Sequence, residues 1–202
     1  LINMAYPSVT APYGLLPVNL IGGQVFAGAT RHIPIASGSA TAIFFGDVVK
    51  LGSDGTLSKD TGTNAATPVG VFMGCSYTDA TFGKTFRQYY PGDVVASDIN
   101  AVVSDDPDAL YKVAVTSSGT TVGYVNRTAV GNNAVLTQNA GSTTTGNSKV
   151  AIDDTTATTS TFPVRIIDVV PETHTDGNPG SYTEVIVKWN AGMHQYNNAT
   201  GV

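Results

Sequence analysis

Apolar and polar positions along this chain group into short stretches bounded by glycine, proline and asparagine. Nowhere do they recur over a long stretch at the 3.6-residue spacing of an amphipathic helix, so the pattern predicts strands. "RHIPI", from Arg31, reads as one strand. "AIFFGDVVKL" reads as two short strands meeting at a bulge or corner at Gly46, and "SDGTL" carries the Asp54-Gly55 signal of a hairpin. "VGVFMGCSY" is almost wholly apolar, which predicts a strand buried on both faces. "KTFRQYY" alternates and stops at Pro91-Gly92; "NAVVSD" and "LYKVAVT" flank "DDPD", where Pro107 sets a turn.

After Gly123 the periodicity loosens, and "YVNRTAVGNNAVLTQNAG" fits either one short helix or a hairpin. "STTTGNSKVAID" and "DTTATTSTFP" read as surface loops. "FPVRIIDVV" and "YTEVIVKW" then predict two strong strands, joined by the turn-rich "PETHTDGNPGS". The expected fold is mainly β: a β-barrel or β-sandwich with an extended N-terminal arm and little helix. The expected layout is an arm over 1–30, a β-rich domain over 31–190 and a C-terminal tail over 191–202.

The arm draws attention because it is apolar without being able to form a central strand. Pro7, Pro12 and Pro17 remove backbone donors. Yet the same stretch holds Tyr6, Tyr13, Leu15, Leu16, Val18 and Leu20, which need covering by the chain's own domain or by a neighbour. Tyr6, Pro7, Tyr13, Leu15, Leu16, Val18 and Leu20 are therefore the candidate interface residues, with the tyrosines as anchors. The chain opens Leu1-Ile2-Asn3 and reaches a methionine at Met4, so Leu1 is not expected to be the translated start. "LINMAYPSV" lacks the basic start and long apolar core of a secretory signal, and no export is expected.

Composition narrows the function classes. Only 12% of the 202 residues are charged, about half the globular norm of roughly 25%. The formal net charge is −5 and the cations are scattered singly, against the clustered Lys and Arg that a nucleic-acid binder needs. No apolar run approaches the ~20 residues of a membrane-spanning helix. Neither nucleic acid nor membrane is an expected partner.

Candidate chemistry is sparse. His32, His174 and His194 share no ligand spacing, and Cys75 is the lone cysteine, so neither a metal site nor an internal disulfide is expected. Asp105, Asp106 and Asp108 lack the ligand order of an EF-hand and read as a solvated turn. No Gly-x-Ser-x-Gly elbow or phosphate-cradling loop occurs. Glu172 and Glu184, the two glutamates, make a poor glycosidase pair. Sequon matches at Asn126 and Asn198 are what an Asn- and Thr-rich chain yields by chance. No catalytic residue, cofactor or metal is expected.

"IASGSATAIFFGDVVKLGSDGTLSKD", followed by "TPVGVFMGC", resembles the β-rich cement, or decoration, proteins of tailed-bacteriophage capsids. In those proteins a strand leads into Gly-Asp-Val-Val, crosses an Asp-Gly hairpin and returns through a Gly-Val strand. "RQYYPG", "VVSDDPDALYKV", "VGNNAVL", "TTTGNSKVAID" and "TFPVRIIDVV" are similar to segments of the same group, in the same order. The resemblance implies a non-enzymatic protein on the outer surface of the virion capsid, a homotrimer bridging major capsid protein subunits. The main rival is a surface-displayed carbohydrate-binding β-sandwich, with Tyr89, Tyr90, Trp189 and Tyr196 as an aromatic platform.

Overall fold

A computed structural model describes residues 9–173 and 181–202. The protein is mainly β, built from a closed five-stranded barrel and a second sheet that share a boundary. In chain order the strands are β1 (Leu16–Leu20), β2 (Arg31–Pro34), β3 (Val48–Leu51), β4 (Leu57–Lys59), β5 (Gly70–Asp79), β6 (Gly83–Arg87) and β7 (Asn100–Ser104). There follow β8 (Ala109–Ser118), β9 (Thr121–Val122), β10 (Asn133–Thr137), β11 (Ala151–Ala157), β12 (Val164–Val169) and β13 (Glu184–Trp189).

The barrel closes in the order β8-β11-β10-β12-β13, with β13 returning to pair with β8. Alternation along each strand decides what lies inside. Tyr111, Val113 and Val115 of β8 point inward with Val185, Val187 and Trp189 of β13, against Leu136, Ile152, Val164 and Ile166. Only β8 with β11 is parallel, through Ile152↔Val115 and Asp153↔Thr116; the other barrel pairs are antiparallel. The second sheet runs β2-β7-β5-β3-β4, with β6 added to the far half of β5. Its own core gathers Ile33, Ile43, Val49, Leu57, Phe72, Cys75, Tyr77, Tyr90 and Val103.

The Gly-Asp-Val-Val stretch is where the two halves join. Gly46 has φ +89°, a left-handed conformation that glycine adopts without the Cβ penalty. Its N–H donates to Phe72 O at 2.8 Å, and its carbonyl accepts from Leu15 N at 3.0 Å. Val48 then packs into the barrel core while its neighbour Val49 packs into the second core. Val71 and Phe72 of β5 divide the same way, which is why β5 reads as apolar on both faces.

The described part of the N-terminal stretch, residues 9–30, divides by depth. Leu15 is fully buried in the barrel core, and β1 lines the outside edge of β8 with Leu16 opposite Lys112. Pro17 is accommodated because, among the described residues, β8 is the one strand paired with β1 at that position, opposite Tyr111. Residues 21–30 are a largely exposed loop. The expected C-terminal tail is docked: Gln195 donates to Leu51 O and accepts from Leu51 N, closing the edge of β3. A 3-10 turn, Arg127–Ala129, replaces the helix-or-hairpin alternative and leads into β10. The threonine-rich stretch expected to be loop forms β11 instead, held between β10 and β8.

Candidate interaction surfaces

The structure separates the candidate interface residues by depth. Tyr6 and Pro7 lie outside the described residues. Leu15 is core and cannot touch a partner, because the barrel needs its side chain to fill the space under β8. Leu16 and Leu20 are half-buried, and Leu20 packs against the barrel core. Val18 is exposed.

Tyr13 is half-buried and spoken for internally. Its hydroxyl donates to Glu184 Oε1, which also receives Lys112 Nζ at 3.2 Å. The Lys112 ammonium lies 5.7 Å from the Tyr13 ring centroid. Burial, then the Glu184 carboxylate, push the phenol far above its ordinary value, so it stays a neutral donor. Sequence reading saw an apolar segment seeking cover and could not see that β8 supplies most of it.

The polar candidates are likewise bound into the fold. Asp105 accepts from Arg31 Nε at 2.8 Å and from the Tyr196 hydroxyl at 2.7 Å, and Asp108 pairs with Lys188 at 3.0 Å. Cys75 is buried, and desolvation pushes its thiol up to about 11, far from nucleophilic thiolate. His32 is exposed on β2; His194 is buried, its Nδ1 accepting from Tyr196 N at 3.2 Å; His174 lies outside the described residues. Among the described residues no three His, Cys, Asp or Glu side chains are placed to hold a metal ion.

The aromatic platform of the carbohydrate reading does not assemble. Tyr90 and Trp189 are core residues, one in each cluster. Tyr89 stacks on Phe44 at 5.3 Å and 9°, leaving Tyr196 as the exposed member. Tyr196 itself is covered on one face by Arg31, 5.5 Å from its ring centroid.

Large apolar side chains are exposed elsewhere. Phe82 and Phe86, on the β5–β6 hairpin, are 77% and 79% exposed, and Val95 is 83% exposed. Asp98 places Val95's loop beside the hairpin: it accepts from Thr78 N and Oγ1 and pairs with Lys84 Nζ, all at 2.8 Å. A second group, Val18 on β1 with Ile21 and Val25 in the loop after it, includes Val25 at 78% exposed.

Register puts these groups at opposite ends of the second sheet. β2 and β5 pair with β7 so that Arg31 and Val71 sit at its Val103–Ser104 end, and Pro34 and Ser76 at its Asn100 end. The loop carrying Val25 enters at the first end, where Ile21 N donates to Asp108 O; the hairpin leaves at the second. "KTFRQYY" was legible as an alternating strand, but alternation alone did not tell which face of it meets water. Compared with protein-family models, with curated proteins and with solved structures, the chain matches none.

Proposed function

We propose that this is a non-enzymatic structural protein that binds the outer surface of an assembled phage capsid, as a homotrimer, and stabilises it by bridging major capsid protein subunits. The observation that carries the reading is the pair of exposed apolar groups at opposite ends of the second sheet, on a scaffold that pairs six of its ten cations with its own carboxylates. A bridging protein needs two contact surfaces facing different neighbours, and it needs rigidity between them. Apolar side chains exposed in groups, rather than singly, are the ones that mark contact surfaces. The ordered resemblance to capsid cement proteins supports the same reading from the sequence side.

The mechanism is linkage. A protein that binds the assembled lattice and not free subunits raises shell stability in proportion to its occupancy. Three copies held together turn modest contacts into avid attachment, because second and third contacts form intramolecularly. Val18, Ile21 and Val25 are the residues we assign to the shell. Mixing the protein with undecorated shells and imaging them tests the assignment: ordered density at threefold positions is the expected result, and bare shells would refute it.

A further inference from the structure

The β5–β6 hairpin has features of its own that a shell contact does not require. It runs on beyond the rest of the sheet: β7 pairing stops at Ser76↔Asn100, whereas β6 continues with β5 to Asp79↔Gly83. Among the described residues β6 pairs with β5 alone, so the backbone groups on its outer edge are offered to another strand. Asp79 holds the turn in shape by accepting from Thr81 N at 2.8 Å and Phe82 N at 3.0 Å, and Gly83 completes it at φ +73°.

We propose that β6 is a self-association edge, pairing antiparallel with β6 of a second copy about Thr85. Proteins keep exposed edges apart with lysines, among other devices. Lys84 is present, its ammonium paired at 2.8 Å with Asp98 of its own copy, but in a ladder about Thr85 it faces Phe86 of the second copy and not that copy's Lys84, so it does not hold the two edges apart. Centring on Thr85 brings all five residues of β6 into the ladder, Gly83 opposite Arg87 and Lys84 opposite Phe86. Each Phe86 ring then lies against the stem and ammonium of the opposing Lys84, a favourable cross-strand pair. Centring on Phe86 would instead draw in Gln88, which lies beyond the strand and is already bonded to Asn147. Phe82 and Phe86 together expose roughly 300 Å², over a third of the about 800 Å² one partner gives to a standard interface.

The contact is isologous, so taken alone it closes on two copies. It takes up one of the two exposed groups on which the virion reading rests, and its mass readout needs no shells, so it can fail or hold apart from shell binding. Light-scattering mass of the full chain in solution is expected to halve on Phe86→Lys, which sets the introduced ammonium against Lys84 of the second copy. Phe86→Glu, which sets a carboxylate against that same Lys84 and leaves the Lys84–Asp98 pair in place, is expected to keep the mass. Phe86 is exposed, and melting temperature checks that each variant folds. Equal masses for wild type and Phe86→Lys would overturn the proposal, as would loss of shell attachment in Phe86→Lys at unchanged mass, which would make the occupant the shell. A mass that Phe86→Glu halves as Phe86→Lys does would overturn the Thr85 register.

Discussion

Ser148 Oγ donates to Asp47 Oδ1 at 2.6 Å, joining two buried side chains that lie 101 positions apart. The bond fastens the start of β3 to the segment entering β11, and so the second sheet to the barrel. The other carboxylate oxygen, Oδ2, accepts from Phe44 N and Lys59 Nζ, each at 2.9 Å. Asp47 thus sits where Gly-Asp-Val-Val changes cores, with every bond it makes directed inward. A residue of this kind gives rigidity between surfaces and no chemistry.

Asp47→Ala leaves the Lys59 ammonium, largely buried, without its counter-charge. Breaking one side of such a pair costs about 3–5 kcal/mol. Urea unfolding is expected to report a loss of that size, with the midpoint falling and the slope unchanged.

The stretch from Tyr13 to Leu20 makes a second test, because depth and exposure alternate within it. Leu15→Ala removes a fully buried side chain and is expected to cost about 2–5 kcal/mol. Val18→Ser alters an exposed one and is expected to change stability by no more than about 0.5 kcal/mol, while weakening shell attachment. Chemical denaturation of the two variants, with shell cosedimentation of the second, separates fold from contact.

Gly14 shows how closely this stretch is packed. At φ +88°, a Cβ there would lie 2.7 Å from both Gly46 O and Ser148 Cβ. Gly14→Ala is expected to destabilise by about 1–3 kcal/mol, from strain and overpacking together. A variant as stable as wild type would mean that the segment is not seated against Gly46.

His194 gives the pH dependence. Burial holds its imidazole below the ordinary histidine value, and the Val69 backbone and Asp105 carboxylate only partly oppose this. The unfolded chain therefore binds the proton more readily than the folded one, and stability rises with pH through the window below about 6.5. Melting temperature is expected to fall as pH drops from about 7 towards 5. His194→Gln should flatten that slope; an unchanged slope would place the titration elsewhere.

How far all this was legible in the sequence depends on what each residue's neighbours could be known to be. The all-β class, the corner at Gly46 and the doubly buried β5 followed from periodicity and turn chemistry, which are local. β11 did not, because Asp153, Asp154 and the threonines after them look solvated. Its pairing with β10 on one side and β8 on the other, and the burial of Ile152, make it a strand. Depth was not legible for a similar reason: Leu15 and Phe86 are both apolar, and nothing near either in the chain says that one fills a barrel and the other meets water.

The bridging account is tested most directly by shell stability. Undecorated shells heated with the wild-type protein are expected to disassemble at a higher temperature than shells alone, and Val25→Asp, altering a 78% exposed side chain, is expected to lose that gain while remaining folded. Shells that melt at the same temperature with and without saturating protein would contradict the account.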